Sequence, residues 1–169
     1  MKNKNKNRVF RYNRRIRGLT DYRLRLRLLK SNLPRVVIRK SNNNILVQFV
    51  EYNHQGDKVI TSAKSNELKK FGYTLHTGNT TAAYLTGLLA GKRAQKAKLN
   101  SEVIVDFGLQ YVQSGNRLYG AVKGLVDSGV NVRIGEGVFP AEDRIMGEHL
   151  SVENAKKVIE KAKKAVEAL

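Results

Sequence analysis

The sequence predicts an α/β domain in which helices pack a mixed sheet, an antiparallel meander plus one buried strand. A basic N-terminal arm, disordered on its own, precedes it. Three observations point there. Residues 34–63 hold three short apolar-alternating segments separated by turn residues, as in a meander. After residue 100, strand-like and helix-like patterns alternate, which adds a strand to that sheet and helices to its faces. Charge is concentrated at one end: residues 1–40 carry 15 Lys and Arg against the single acid Asp21, a net of +14, while residues 41–169 carry only +4 of the total of +18.

The elements follow in chain order. Met1 to Gly18 passes from Lys/Asn into Arg-rich sequence, with eight bases, no acid, and Phe10 and Tyr12 interleaved. Such a segment buries too little apolar surface to offset its ordering entropy. Thr20-Asp21 offers an N-cap to the segment ending near Ser31. Its Arg23–Leu28 alternation also fits a strand, but the cap favours a helix, which would align Arg23, Arg27 and Lys30 on one stripe and Tyr22, Leu26 and Leu29 on another. Residues 34–40 form the first strand, Pro34 taking its permitted first position, with Arg35, Val37 and Arg39 on one face and Val36 and Ile38 on the other. The turn Ser41-Asn42-Asn43 leads to a strand over 44–51, with Ile45, Val47 and Phe49 inward; a second turn leads to a strand over 58–63.

One or two helical turns over 65–71 and the loop His76–Thr81 precede a helix over 81–98. Its Gly87 and Gly91, four apart, predict close packing on the sheet. Val103-Ile104-Val105 reads as a strand buried on both faces. Leu118, Ala121, Val122 and Leu125 trace a helical face closed by Gly129. Pro140 opens another short helix. Ser151 caps a last amphipathic one, whose apolar side needs a surface to lie on. The expected organisation is an arm at 1–19, an α/β domain at 20–150 and a C-terminal amphipathic helix at 151–169.

Composition restricts function. With no cysteine there is no disulfide, thiolate metal site or cysteine nucleophile, as expected of a cytoplasmic protein. The longest apolar stretch, 82–90, is about half of the roughly 20 residues a span requires, and no secretory leader is read at the N-terminus, so no membrane partner is expected. His54, His76 and His149 lack ligand spacing, so neither metal nor cofactor is expected. The Gly108–Asn116 loop has neither the Gly-Lys-Ser/Thr end of a phosphate loop nor a three-glycine fingerprint. Glu142 with Asp143, and Glu148 with His149, are adjacent pairs that diverge on a helix, and there is no nucleophile elbow. No catalytic residues are predicted and the chain is not read as an enzyme. The basic end predicts a polyanion, nucleic acid first. Arg8, Arg11, Arg14, Arg15 and Arg17 would pair with phosphates, Phe10 or Tyr12 would stack on bases, and Arg35 and Arg39 would extend that surface onto the sheet. On this reading, replacing Arg35 and Arg39 with Ala weakens RNA binding and leaves the domain folded.

Five stretches, in order, resemble one family: Gly18–Leu29, Pro34–Asn42, Thr77-Gly78-Asn79, Ala83–Gly91 and Gly147-Glu148-His149. They are similar to the universal large-subunit ribosomal protein eighteen family in its archaeal branch, related to eukaryotic large-subunit protein five, from about Arg11 to His149. The resemblance implies a structural protein of the cytoplasmic ribosome that binds 5S rRNA, contacts 23S rRNA and neighbouring large-subunit proteins, and helps anchor 5S rRNA in the central protuberance. By position, it places the basic arm on Arg8–Arg17 with Tyr12, and the following helix on Tyr22, Arg23, Arg25 and Arg27. The strand-and-turn RNA face falls on Arg35, Arg39, Lys40, Ser41, Asn42 and Asn44, and a further loop on Thr77, Gly78 and Asn79. Asn43 stands where many relatives have a base.

Overall fold

The computed structural model describes residues 11–99, 101–135, 137–150 and 154–169. Four strands form one sheet in the order β3-β2-β1-β4. β1 (Arg35–Lys40), β2 (Ile45–Glu51) and β3 (Lys58–Lys64) make the predicted antiparallel meander, and β4 (Ile104–Asp106) adds to β1 in parallel. The predicted alternation holds. Val36, Ile38, Ile45, Val47 and Phe49 are fully buried on the inner face, while the register pairs Val37 with Gln48 and Arg35 with Val50 on the outer one.

Helices cover the inner face. α3 (Thr80–Lys96) is the hub: 13 of its 17 residues are buried, so it is enclosed on nearly every side rather than amphipathic. It packs against β2, β3, α4 (Arg117–Asp127) and α6 (Ala155–Glu167). Ala155, Ile159, Ala162 and Val166 of α6 join the common core, so the surface this helix needs is α3. The predicted cap Ser151 lies outside the described residues. α5 is a single turn at Glu142–Ile145, and residues 65–71 form a 3₁₀ helix.

Two expectations are corrected. The Val103–Val105 run is not a strand buried on both faces: β4 is a three-residue edge strand, and Val103 itself bridges to Val132 beside the sheet. The run is apolar because helices cover one side and this extra bridge covers Val103, which is fully buried. The glycines of α3 do not pack on the sheet either. A Cβ at Gly87 would collide with the Ala121 carbonyl, and one at Gly91 with the Ser128 side chain, so both serve the contact with α4.

Candidate nucleic-acid interface

The outer face of the sheet is crossed by α2 (Tyr22–Leu29), and this arrangement places most of the predicted site. The predicted cap forms: Asp21 Oδ1 accepts from the Arg23 and Leu24 backbone N–H groups at 2.8 and 3.2 Å. These two bonds hold the Asp21 carboxyl below its ordinary range. α2 buries no residue completely. Of the predicted stripe of Tyr22, Leu26 and Leu29, only Tyr22 turns toward the sheet. Tyr22, Leu24, Arg25 and Leu28 face the sheet, and Leu26 is exposed. Arg25 fastens the helix from that side through a two-pronged ion pair with Asp57 at 2.8 and 2.9 Å.

That pair opens a chain of alternating charge. Arg35 Nη2 donates to Asp57 Oδ2 at 2.6 Å and its Nη1 to Asp106 Oδ2 at 3.1 Å. Arg39 then donates to Asp106 Oδ1 at 3.2 Å and to the Asp106 carbonyl at 2.6 Å. Three guanidinium groups thus share two carboxylates. The Asp57 carboxyl is held below its ordinary value of 3.8, first by the Arg25 hydrogen bonds and then by Arg35, against the opposing effect of burial. A depressed carboxylate stabilises the fold above its unfolded value and loses that contribution as pH falls below it. The melting temperatures of the wild type and Asp57→Asn should therefore differ at neutral pH and converge as pH drops below about 3.8. A gap independent of pH would show that the Asp57 charge is not what fastens α2.

Arg35 is a correction to the sequence reading. It lies on the predicted face, but only 2% of it is exposed and both ends of its fork are engaged by aspartates. Alternation gave its direction correctly. It could not show that Asp57 and Asp106, distant in sequence, would bury and neutralise it. Its role here is to position α2 and Arg39, whose side chain stays 39% exposed.

The remaining predicted residues divide between an exposed basic surface and a turn cluster. Arg11, Arg15, Arg17, Arg23 and Arg27 are exposed, and Arg14 donates to the Thr20 hydroxyl at 3.0 Å. Arg8 and Phe10 lie outside the described residues. Residues 13–16 of the arm form one helical turn, α1 (Asn13–Ile16), with no buried side chain. Tyr12, 71% exposed, stacks on Tyr22 with ring centroids 5.0 Å apart. The aromatic of the arm and the aromatic of α2 thereby form one platform.

At the far end of β1, the Lys40 backbone is clamped on both sides by the Gln110 amide. Ser41 and Asn44 close the β1–β2 turn on each other through three hydrogen bonds. The predicted Thr77-Gly78-Asn79 loop packs against this turn. Thr77 Oγ1 donates to the Asn43 carbonyl at 2.6 Å, and a Cβ at Gly78 would strike the Asn42 carbonyl. Asn79 caps α3 by accepting from Ala82 N–H at 2.7 Å and also accepts from the Tyr73 hydroxyl. Burial pushes that hydroxyl up to about 12. Arg117 donates to the Gly78 carbonyl. The two loops, over 30 residues apart in sequence, are one rigid unit that leaves Asn42 exposed beside Lys40.

Sequence reasoning missed two features. Leu109 and Tyr111, the latter 78% exposed, project from the loop next to Arg39 and Lys40; a loop rejected as a nucleotide site still carried exposed apolar residues as a signal. The second is the exposed lysines on the helical side: Lys161 of α6 passes Gly72, the residue that ends the 3₁₀ helix carrying Lys69 and Lys70. The modest overall charge of residues 41–169 hid it. Among the described residues there is no group of three or more metal-binding side chains, and no helix is long and apolar enough to cross a membrane.

Comparison with known proteins adds to this geometry. Residues 6–103 match the family model described as ribosomal large subunit proteins 60S L5 and 50S L18. The chain is similar to the large ribosomal subunit protein uL18 of Methanoregula boonei, 46% identical over 145 residues covering 86% of this chain and 83% of that protein. It also resembles uL18 of Korarchaeum cryptofilum, 48% identical over 83% of this chain and 71% of the relative. With uL18 of Methanococcoides burtonii it shares 49% identity over 83% of this chain and 80% of the relative.

Proposed function

The chain belongs to the family of large-subunit ribosomal proteins that comprises 60S L5 and 50S L18, and we propose that within the large subunit it binds 5S rRNA and contacts 23S rRNA, helping to anchor 5S rRNA in the central protuberance beside neighbouring proteins. Proteins of this family are structural components of the cytoplasmic ribosome, not enzymes. The observation that carries the reading is the set of exposed arginines on the arm and α2 with the stacked Tyr12–Tyr22 pair, on the side of the sheet where Arg39 is half-exposed and Lys40 and Asn42 end β1. Arginine and lysine release counterions from phosphates, while tyrosines stack on unpaired bases and asparagine and serine meet 2′-hydroxyls. The exposed Lys69, Lys70 and Lys161, on the helical side, support a second RNA contact, which we assign to 23S rRNA.

A competition titration tests this. Labelled 5S rRNA bound by the full chain at physiological salt should resist excess tRNA and duplex DNA. A double Arg23→Ala, Arg27→Ala variant should bind about tenfold more weakly, with a salt slope shallower by about 2, one for each lost phosphate contact. Equal displacement by every polyanion would leave only non-specific attraction and defeat the 5S assignment.

A further inference from the structure

The space between α2 and the outer face of the sheet is a cleft of about 590 Å³. One wall is Tyr22, Leu24, Arg25 and Leu28; the other is Val37, Gln48, Val50 and Val59; Arg35, Asp57 and Asp106 lie between them. Ordinary packing would have closed it, since a helix with apolar residues normally buries them on the sheet below. Here the Arg25–Asp57 pair fastens α2 at one point and no residue of the helix is fully buried. The Arg35 Nε, in a residue 2% exposed, has no hydrogen-bond partner, although unsatisfied donors are seldom left in buried places.

We propose that this cleft receives one unstacked nucleobase of the bound RNA, an inference that rests on the RNA-binding reading above. Its chemistry fits a base better than other occupants. Leu24 and Leu28 on one wall and Val37, Val50 and Val59 on the other leave an apolar slot between polar groups, beside the Tyr12–Tyr22 stack, on which a flat ring can lie. The Gln48 amide donates and accepts in one plane, as base edges require. Arg14 at the rim, with Arg11, Arg15, Arg23 and Arg27 exposed nearby, supplies cations for the phosphates on either side of an extruded nucleotide. A bulged or single-stranded base enters at low cost because it has no pair to break.

Two variants of the full chain separate this from plain electrostatics. Val37→Trp fills the cleft from the middle of β1, and Gln48→Leu removes the amide while keeping its size. Neither changes charge. With melting temperature and circular dichroism unchanged, each should weaken 5S rRNA binding about tenfold while the slope of log affinity against log salt stays that of the wild type. Wild-type affinity in Val37→Trp would overturn the proposal, because a filled cleft would then be compatible with full binding. A shallower salt slope would also overturn it, since the loss would then come from displaced arginines. Failure of the 5S reading is distinguishable: the wild type itself would bind 5S rRNA, tRNA and DNA alike. Should Val37→Trp unfold, Gln48→Leu decides by the same two criteria.

Discussion

Arg35→Ala is expected to destabilise the protein by about 3–5 kcal/mol, the usual consequence of removing one partner of a buried charge network. Nothing else replaces what it supplies. Asp106 is itself nearly buried, and its other partners, Arg39 at 3.2 Å and the Gly108 N–H at 2.8 Å, leave the oxygen that Arg35 now satisfies without a donor. Asp57 keeps Arg25 and, being partly exposed, suffers less. For a chain of this size each kcal/mol is worth roughly 2–4 °C, so thermal unfolding should show a fall of roughly 6–20 °C. Arg35→Met keeps most of the volume and should fare little better, because the second Asp106 oxygen still loses its donor. A single variant melting within a few degrees of the wild type would show that the network is dispensable. The same numbers bear on RNA binding. A loss of affinity in Arg35→Ala is expected through α2 and Arg39 coming adrift, so it is no sign of direct contact unless the folded fraction is measured alongside. Arg39→Ala, at a half-exposed position, keeps the fold and is the better probe of the sheet face.

What could be read from the sequence follows from the range of the interactions involved. The meander was legible because alternation is a property of neighbours: Ile45, Val47 and Phe49 had to share a face in any sheet. The α2 cap was legible for the same reason, since Asp21 bonds to residues two and three positions on. The exposed arginines of the arm and α2 were legible as a charge imbalance. What escaped depended on partners far along the chain. Asp57 and Asp106 lie 22 and 71 residues from the arginine they neutralise. The inward side of α2 was not separable by periodicity, because two apolar stripes compete on this helix; Tyr22, Leu24 and Leu28 turn inward together with Arg25, whose partner Asp57 lies 32 residues away. The union of the 41–44 turn with the 77–79 loop rests on a threonine hydroxyl meeting a carbonyl 34 residues away. No local pattern encodes that, although both segments stood out individually as polar turns.

The α3–α4 contact shows the same dependence and carries the second large effect. Gly87→Ala should cost about 3 kcal/mol, at the upper end of what overpacking a core inflicts. The site is reciprocal: Gly87 of α3 lies against the Ala121 carbonyl of α4, and Gly124 of α4 lies against the Tyr84 carbonyl and the Leu88 N–H of α3. In each case the obstacle to a methyl group is backbone, which cannot swing aside as a side chain would. The helices must separate, and α3 cannot retreat because β2, β3 and α6 pack its other sides. Alanine has the higher helix propensity, by about 1 kcal/mol over glycine, so an isolated helix would be strengthened by this change. The predicted sign is the reverse of that propensity, which makes the test sharp. Gly115→Ala is no fair control, since its φ of +73° strains any side chain. Gly120→Ala is one: its Cβ would meet the Thr80 methyl and carbonyl at 3.2 and 3.3 Å and the Ala83 methyl at an ordinary 3.8 Å, an adjustment of tenths of an ångström. In chemical denaturation, Gly87→Ala and Gly124→Ala should both fall well below the wild type, with Gly120→Ala between them and it. A Gly87→Ala protein as stable as the wild type would mean that the two helices can part without disturbing the core that supports the sheet and, through it, the RNA-facing surface.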